Sequence, residues 1–96
     1  MTKESASAKM IECRKNIDRI DVQIVALLNE RTRIVKLIGQ IKSEFSMPVY
    51  EPKREDEVFR NVLEHNNGPL PADAVRRIFE RLIDEMRTIQ QPKRES

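Results

Sequence analysis

The chain has no tryptophan, one cysteine, one histidine and two glycines, and aromatic residues make up only 4% of it. Each scarcity excludes something. A lone cysteine, Cys13, cannot close an internal disulfide, so a reduced compartment suits the chain and the side chain is expected as a small packing residue. One histidine and one cysteine are too few for a metal site of nitrogen and sulfur ligands, so no metal is expected. Few aromatics leave little to stack against bases. The 18 lysines and arginines are interleaved with 16 acids for a net charge of +2, with no basic block, and nucleic-acid binding is disfavoured. No apolar run approaches the roughly 20 residues that cross a bilayer. Met1-Thr2-Lys3-Glu4-Ser5 carries no apolar core of a secretory signal, so a cytoplasmic location is expected. No proline precedes Pro48, and the shortage of glycine and aromatics favours helices over sheets.

What is present is helical periodicity. The chain has 96 residues, which makes one domain at most, and so small a chain buries a limited core unless it associates. A helical pattern runs from about Ala8 to Ser43, and Ser46-Met47-Pro48 breaks it, because the residue before a proline is pushed out of the helical region. Val49-Tyr50-Glu51 reads as a connector. Pro52 suits the first turn of a second helix, which carries Val58, Phe59, Val62 and Leu63 on one side. Asn66-Asn67-Gly68-Pro69 ends it. Pro71 opens a third helix with Val75, Ile78, Phe79, Leu82, Ile83, Met86 and Ile89, which Pro92 terminates. The expectation is an all-α domain of three helices over residues 8–91, between flexible segments at 1–7 and 92–96.

The first helix carries a heptad seam: Met10, Cys13, Ile17, Ile20, Ile24, Leu27, Arg31, Ile34, Ile38 and Ile41. Arg31 is the misfit. A guanidinium stays charged at any ordinary pH, and burying it without an anion is very costly, so the protein or a bound ligand must supply a carboxylate. Helix length matters too. About 36 residues make a helix of roughly 54 Å, far longer than a compact chain of this size is wide. Its seam continues to both ends, which predicts an association surface and, most simply, a two-fold dimer with the long helices side by side.

Helical angles sort the polar residues. From Arg31 to Lys42 the helix returns to within about 20° of one face, roughly 16 Å along the axis, with Ile38 between them. The two can line one pocket from both ends. Arg14 lies roughly 25 Å before Arg31 and about 100° around, out of reach in its own chain. In an antiparallel dimer it can enter the other chain's pocket. Glu51, Arg54 and Glu55 share a face with Val58 and Val62, and Gln90 follows Phe79, Ile83 and Met86 along the inner stripe. Cations outnumber acids in this set, which suits a small dianion with carboxylates that match guanidinium forks. The competing reading is structural: Arg31 pairs with Glu55, Lys42 complements the helix dipole, and the remaining charges form weak surface pairs.

These residues also carry a family pattern. Arg14-Lys15-Asn16-Ile17-Asp18-Arg19-Ile20-Asp21, Leu27-Leu28-Asn29-Glu30-Arg31, Ile38-Gly39-Gln40-Ile41-Lys42, Pro48-Val49-Tyr50-Glu51-Pro52-Lys53-Arg54-Glu55, Ile78-Phe79-Glu80 and Gln90 occur in order and at consistent spacing. Over about residues 8–91 the chain resembles the AroQ-type, all-helical chorismate mutases. The resemblance implies three helices per chain in an entwined homodimer. It also implies conversion of chorismate to prephenate, in phenylalanine and tyrosine biosynthesis, without a cofactor. By position, Arg14 of one chain and Arg31 of the other bind the substrate carboxylates, and Lys42 and Gln90 hydrogen-bond the ether oxygen of the breaking bond. Arg54 helps hold the ring end, Glu55 accepts from the ring hydroxyl beside Glu51, and Ile38 forms an apolar wall. Met86 falls at a substrate-binding position where some relatives place a serine whose hydroxyl contacts a carboxylate, a bond that a thioether cannot donate. Two rivals remain open on the sequence: an isochorismate pyruvate-lyase of the same fold, and a non-catalytic helical interaction module. The chain leaves no length for a fused second enzyme, so a single activity is expected.

Overall fold

In a computed structural model, the described residues are 1–91. They form three helices: α1 (Lys3–Glu44), α2 (Pro52–Glu64) and α3 (Ala72–Gln90). The expected tail at 92–96 lies outside the described residues. Helix α1 starts at Lys3, ahead of the expected Ala8, because Thr2 caps it. The Ser5 N–H donates to Thr2 Oγ1 at 3.1 Å, and the Ala6 N–H donates to the Thr2 carbonyl at 2.9 Å.

The other helix ends follow the punctuation in the sequence. Past α1, the Met47 N–H donates to the Lys42 carbonyl at 2.8 Å and the Ser46 N–H to the Ser43 carbonyl at 3.5 Å. Ser46 takes the left-handed conformation, φ 54°, so the helix closes in a Schellman motif before Pro48. Pro52 takes the first helical position of α2, behind Glu51, and Pro71 stands just before α3. Between α2 and α3 the Asn66 side chain accepts from Gly68 N–H at 3.1 Å and donates to the Leu70 carbonyl at 2.8 Å. Gly68, with φ 73°, supplies the positive angle that turn requires.

The chain divides into two compact units, Met1–Arg33 and Ile34 onward. The first is the N-terminal part of α1. Its seam residues Met10, Cys13, Ile17, Ile20, Ile24 and Leu27 are exposed within one chain, in keeping with a seam that needs a partner to be buried. A single helix offers itself no apolar surface to bury against.

The second unit holds the end of α1 with α2 and α3. Val75, Ile83 and Met86 of α3 are buried, and Val58, Phe59, Val62 and Leu63 of α2 are half-buried. Burying each large apolar side chain contributes roughly 1.5–3 kcal/mol. Ile78, expected inside, is exposed. On α1 the buried residues are Val35, Gly39 and Lys42, spaced four and three apart, whereas Ile34, Ile38 and Ile41 stay exposed. The end of α1 thus has two distinct faces. One, on Val35, Gly39 and Lys42, is buried inside the chain. The other is the heptad seam, left open.

Candidate active site

The end of α1 approaches the end of α3 because residue 39 has no side chain. A Cβ placed on Gly39 would lie 3.3 Å from Gln90 Cα and 3.4 Å from its carbonyl oxygen. Three residues further along α1, Lys42 is 7% exposed, the one charged residue buried among the described residues. Its Nζ donates to Gln90 Oε1 at 2.8 Å and to the Val49 carbonyl at 3.1 Å. The Glu51 carboxylate stands 3.7 Å away. A lysine Nζ has three donors and no acceptor, so two hydrogens are engaged and one remains. The same rule fixes Gln90: only its carbonyl oxygen can face Lys42, so its NH2 group is left to donate elsewhere.

Glu55, near the start of α2, is half-buried, and it pairs with Arg87 of α3. Arg87 Nη2 lies 2.6 Å from Glu55 Oε2, and Nη1 lies 3.3 Å from Asp84. The guanidinium also stacks 5.1 Å from the centre of the Tyr50 ring. The hydrogen bond that Arg87 donates to Glu55 holds the Arg87 pKa above its usual value. Partial burial opposes this, and the charges of Glu55 and Asp84 add to it. Arg87 therefore stays charged throughout any working pH range.

The remaining expected site residues are placed as follows. Arg54 is exposed and pairs with Glu57 at 3.2 Å, one helical turn further along α2. Ile38 is 40% exposed on the open face of α1. Met86 is buried in the core of α3 with Ile83, so its thioether serves packing. Arg14 is exposed and Arg31 half-buried, both in the first unit. Sequence reasoning missed Arg87, Gly39, the Val49 carbonyl and the Tyr50 ring. Arg87 was legible only as a residue on the flank of the Ile83–Met86–Gln90 stripe. Among the described residues, no group of three or more His, Cys, Asp and Glu side chains is arranged to hold a metal. No helix among them is long and apolar enough to cross a membrane.

Comparison with known proteins gives this geometry a context. Residues 13–91 match the family described as chorismate mutase type II. A bifunctional chorismate mutase/prephenate dehydratase of Aquifex aeolicus (strain VF5) is 43% identical over 76 residues, covering 75% of this chain. The chain spans only 21% of that relative's length. A chorismate mutase of Thermus thermophilus superimposes with a TM-score of 0.85 at 31% identity, covering 91% of this chain and 99% of that one. The chorismate mutase of Helicobacter pylori, solved in complex with prephenate, gives a TM-score of 0.79 at 26% identity, covering 86% of this chain and 90% of that one. The chain belongs to the chorismate mutase type II family.

Proposed function

We propose that the chain catalyses the rearrangement of chorismate to prephenate. The observation that carries this reading is the buried Lys42–Gln90 pair, in which two side chains 48 positions apart present one remaining N–H and one free NH2 group. A pair of preorganised donors with water largely excluded is what a developing oxyanion requires. The reaction is intramolecular: the ether C–O bond breaks as a new C–C bond forms, with no atom gained or lost. It requires no nucleophile, metal or cofactor.

Two contributions follow from the residues. Arg31 and Arg14 clamp the two substrate carboxylates and select the compact conformer in which the reacting carbons lie close together. Lys42 and Gln90 then stabilise the negative charge that grows on the ether oxygen, each worth roughly 2.7–4 kcal/mol by analogy with oxyanion-hole donors. Gln90 is neutral and donates at any pH, so its contact needs no protonation. Glu55 accepts from the ring hydroxyl with Glu51 beside it, Ile38 lines the apolar wall, and Met86 backs the site with a thioether that donates nothing to the substrate. Arg54 is assigned to the ring end and must leave Glu57 to serve there, a rotamer change well within reach of an exposed arginine.

The same reading includes a homodimer with Arg14 donated across the interface. Its support is the exposed seam of α1, from Met10 through Ile17, Ile20, Ile24 and Leu27 to Ile34, Ile38 and Ile41, too long an apolar stripe to remain in water. The domain is assigned to residues 8–91, the place to aromatic amino-acid biosynthesis, and the location to the cytoplasm, where a lone unpaired cysteine persists. The test is the loss of chorismate ultraviolet absorbance with purified protein, with isochorismate run in parallel. Prephenate formation from chorismate supports the proposal. Turnover of isochorismate alone points to a pyruvate-lyase, and turnover of neither points to an interaction module.

A further inference from the structure

Among the described residues of the second unit, Arg87 is the strongly engaged charge to which the proposed reaction gives no part. It joins three elements: Glu55 of α2 at 2.6 Å, Asp84 of its own helix at 3.3 Å, and the Tyr50 ring of the connector at 5.1 Å. Its Nε is buried and has no hydrogen-bond partner. That last fact argues against a purely structural strap. A leucine or methionine would pack on Tyr50 without stranding a polar atom, and partly buried ion pairs are often matched in stability by apolar replacements. What only arginine adds is a directional grip on Glu55.

The grip has a definite geometry. Nη2 takes Glu55 Oε2, which leaves Oε1 for a further donor. A glutamate side chain has three rotatable bonds, and ordering it costs entropy at the moment of binding unless something has already ordered it. Arg87, itself braced by Asp84 and Tyr50, orders it beforehand. Lys42 does the same for Gln90, by claiming one atom of the amide and freeing the other.

We propose that Arg87 is a positioning residue that holds Glu55 as the acceptor for the substrate's ring hydroxyl. This inference rests on the proposed mutase reaction and assigns the chain one more residue on which hydroxyl recognition depends. A site that fixes an acceptor for a substrate hydroxyl favours that substrate over an analogue lacking the hydroxyl, which leaves Glu55 Oε1 without its donor.

The experiment compares wild type with Arg87→Met and Arg87→Lys on two substrates: chorismate, and an analogue with the ring hydroxyl replaced by hydrogen. On chorismate, kcat/KM of Arg87→Met should fall on the order of 10- to 100-fold, as misplacement of a contact group by about 1 Å does. Arg87→Lys should recover part of that loss. On the analogue, wild type and Arg87→Met should agree within a few fold, since Glu55 has no hydroxyl to receive. An equal loss on both substrates, or no loss on chorismate, overturns the inference while leaving the mutase reading intact. If Arg87→Met does not fold, Arg87→Gln carries the same comparison. A wild-type protein inactive on chorismate overturns the function and this inference with it.

Discussion

Gly39→Ala separates the spacing of α1 and α3 from the stability of either helix. Alanine is the better helix former by about 0.8–1.0 kcal/mol, so the substitution gains on propensity. Its Cβ would meet Gln90 Cα at 3.3 Å and the Gln90 carbonyl oxygen at 3.4 Å. Carbon contacts settle at about 3.5–4.0 Å, so the last turn of α3 must retreat by roughly 0.2–0.7 Å. Both near atoms are backbone, so no rotamer change relieves the contact. The strain falls at the low end of the roughly 1–3 kcal/mol typical of overpacking, and most of it is offset by the propensity gain. The net loss of stability should stay under about 1 kcal/mol, with a melting temperature lowered by no more than roughly 8 °C. Activity should suffer more. The Lys42–Gln90 bond of 2.8 Å is set by this approach, and its displacement should cost on the order of 10-fold in kcat. The assays are thermal melting by circular dichroism and the rate of chorismate loss at saturation. Wild-type kcat in a folded Gly39→Ala protein would refute the claim that residue 39 sets the spacing of the pair.

Two further outcomes follow from the two faces of α1. Leu27→Glu, placed on the exposed seam, should convert a dimer into a monomer or leave the chain unfolded, read by sedimentation; an unchanged dimer would remove the seam from the interface. Arg14→Ala and Arg31→Ala are each expected to be inactive alone. Mixed as heterodimers, they should regain about one competent site per dimer, and a mixture without activity would argue against a shared site.

Most helix boundaries were legible because prolines mark them: Pro48, Pro52 and Pro71 each sit where an element stops or starts. The start of α1 was not, because the Thr2 cap uses a short polar stretch that reads as a frayed end. The heptad seam is exposed within one chain, as an association surface is, but it masks a second face of α1 in the sequence. The heptad seam is the longest apolar pattern in the chain and draws every residue near it into one stripe. The face used within the chain is shorter, and two of its three residues, Gly39 and Lys42, are not apolar side chains. Periodicity reads hydrophobicity, so it cannot register a glycine that permits contact, and helical angles put Lys42 on an inner face without giving the Val49 carbonyl it also donates to. Likewise Glu55 and Arg87 lie 32 positions apart, and nothing local signals their pairing. The resemblance named Lys42 and Gln90 together, but only the packing of α3 against Gly39 accounts for their distance.

The most direct test of the account is the turnover of chorismate by wild type and by Lys42→Ala, with helicity recorded for both. Lys42 holds the amide of Gln90 and keeps one donor for the ether oxygen, so its loss should lower kcat by about 10²–10³-fold while the helical signal persists. A folded Lys42→Ala protein that keeps wild-type turnover would contradict the account.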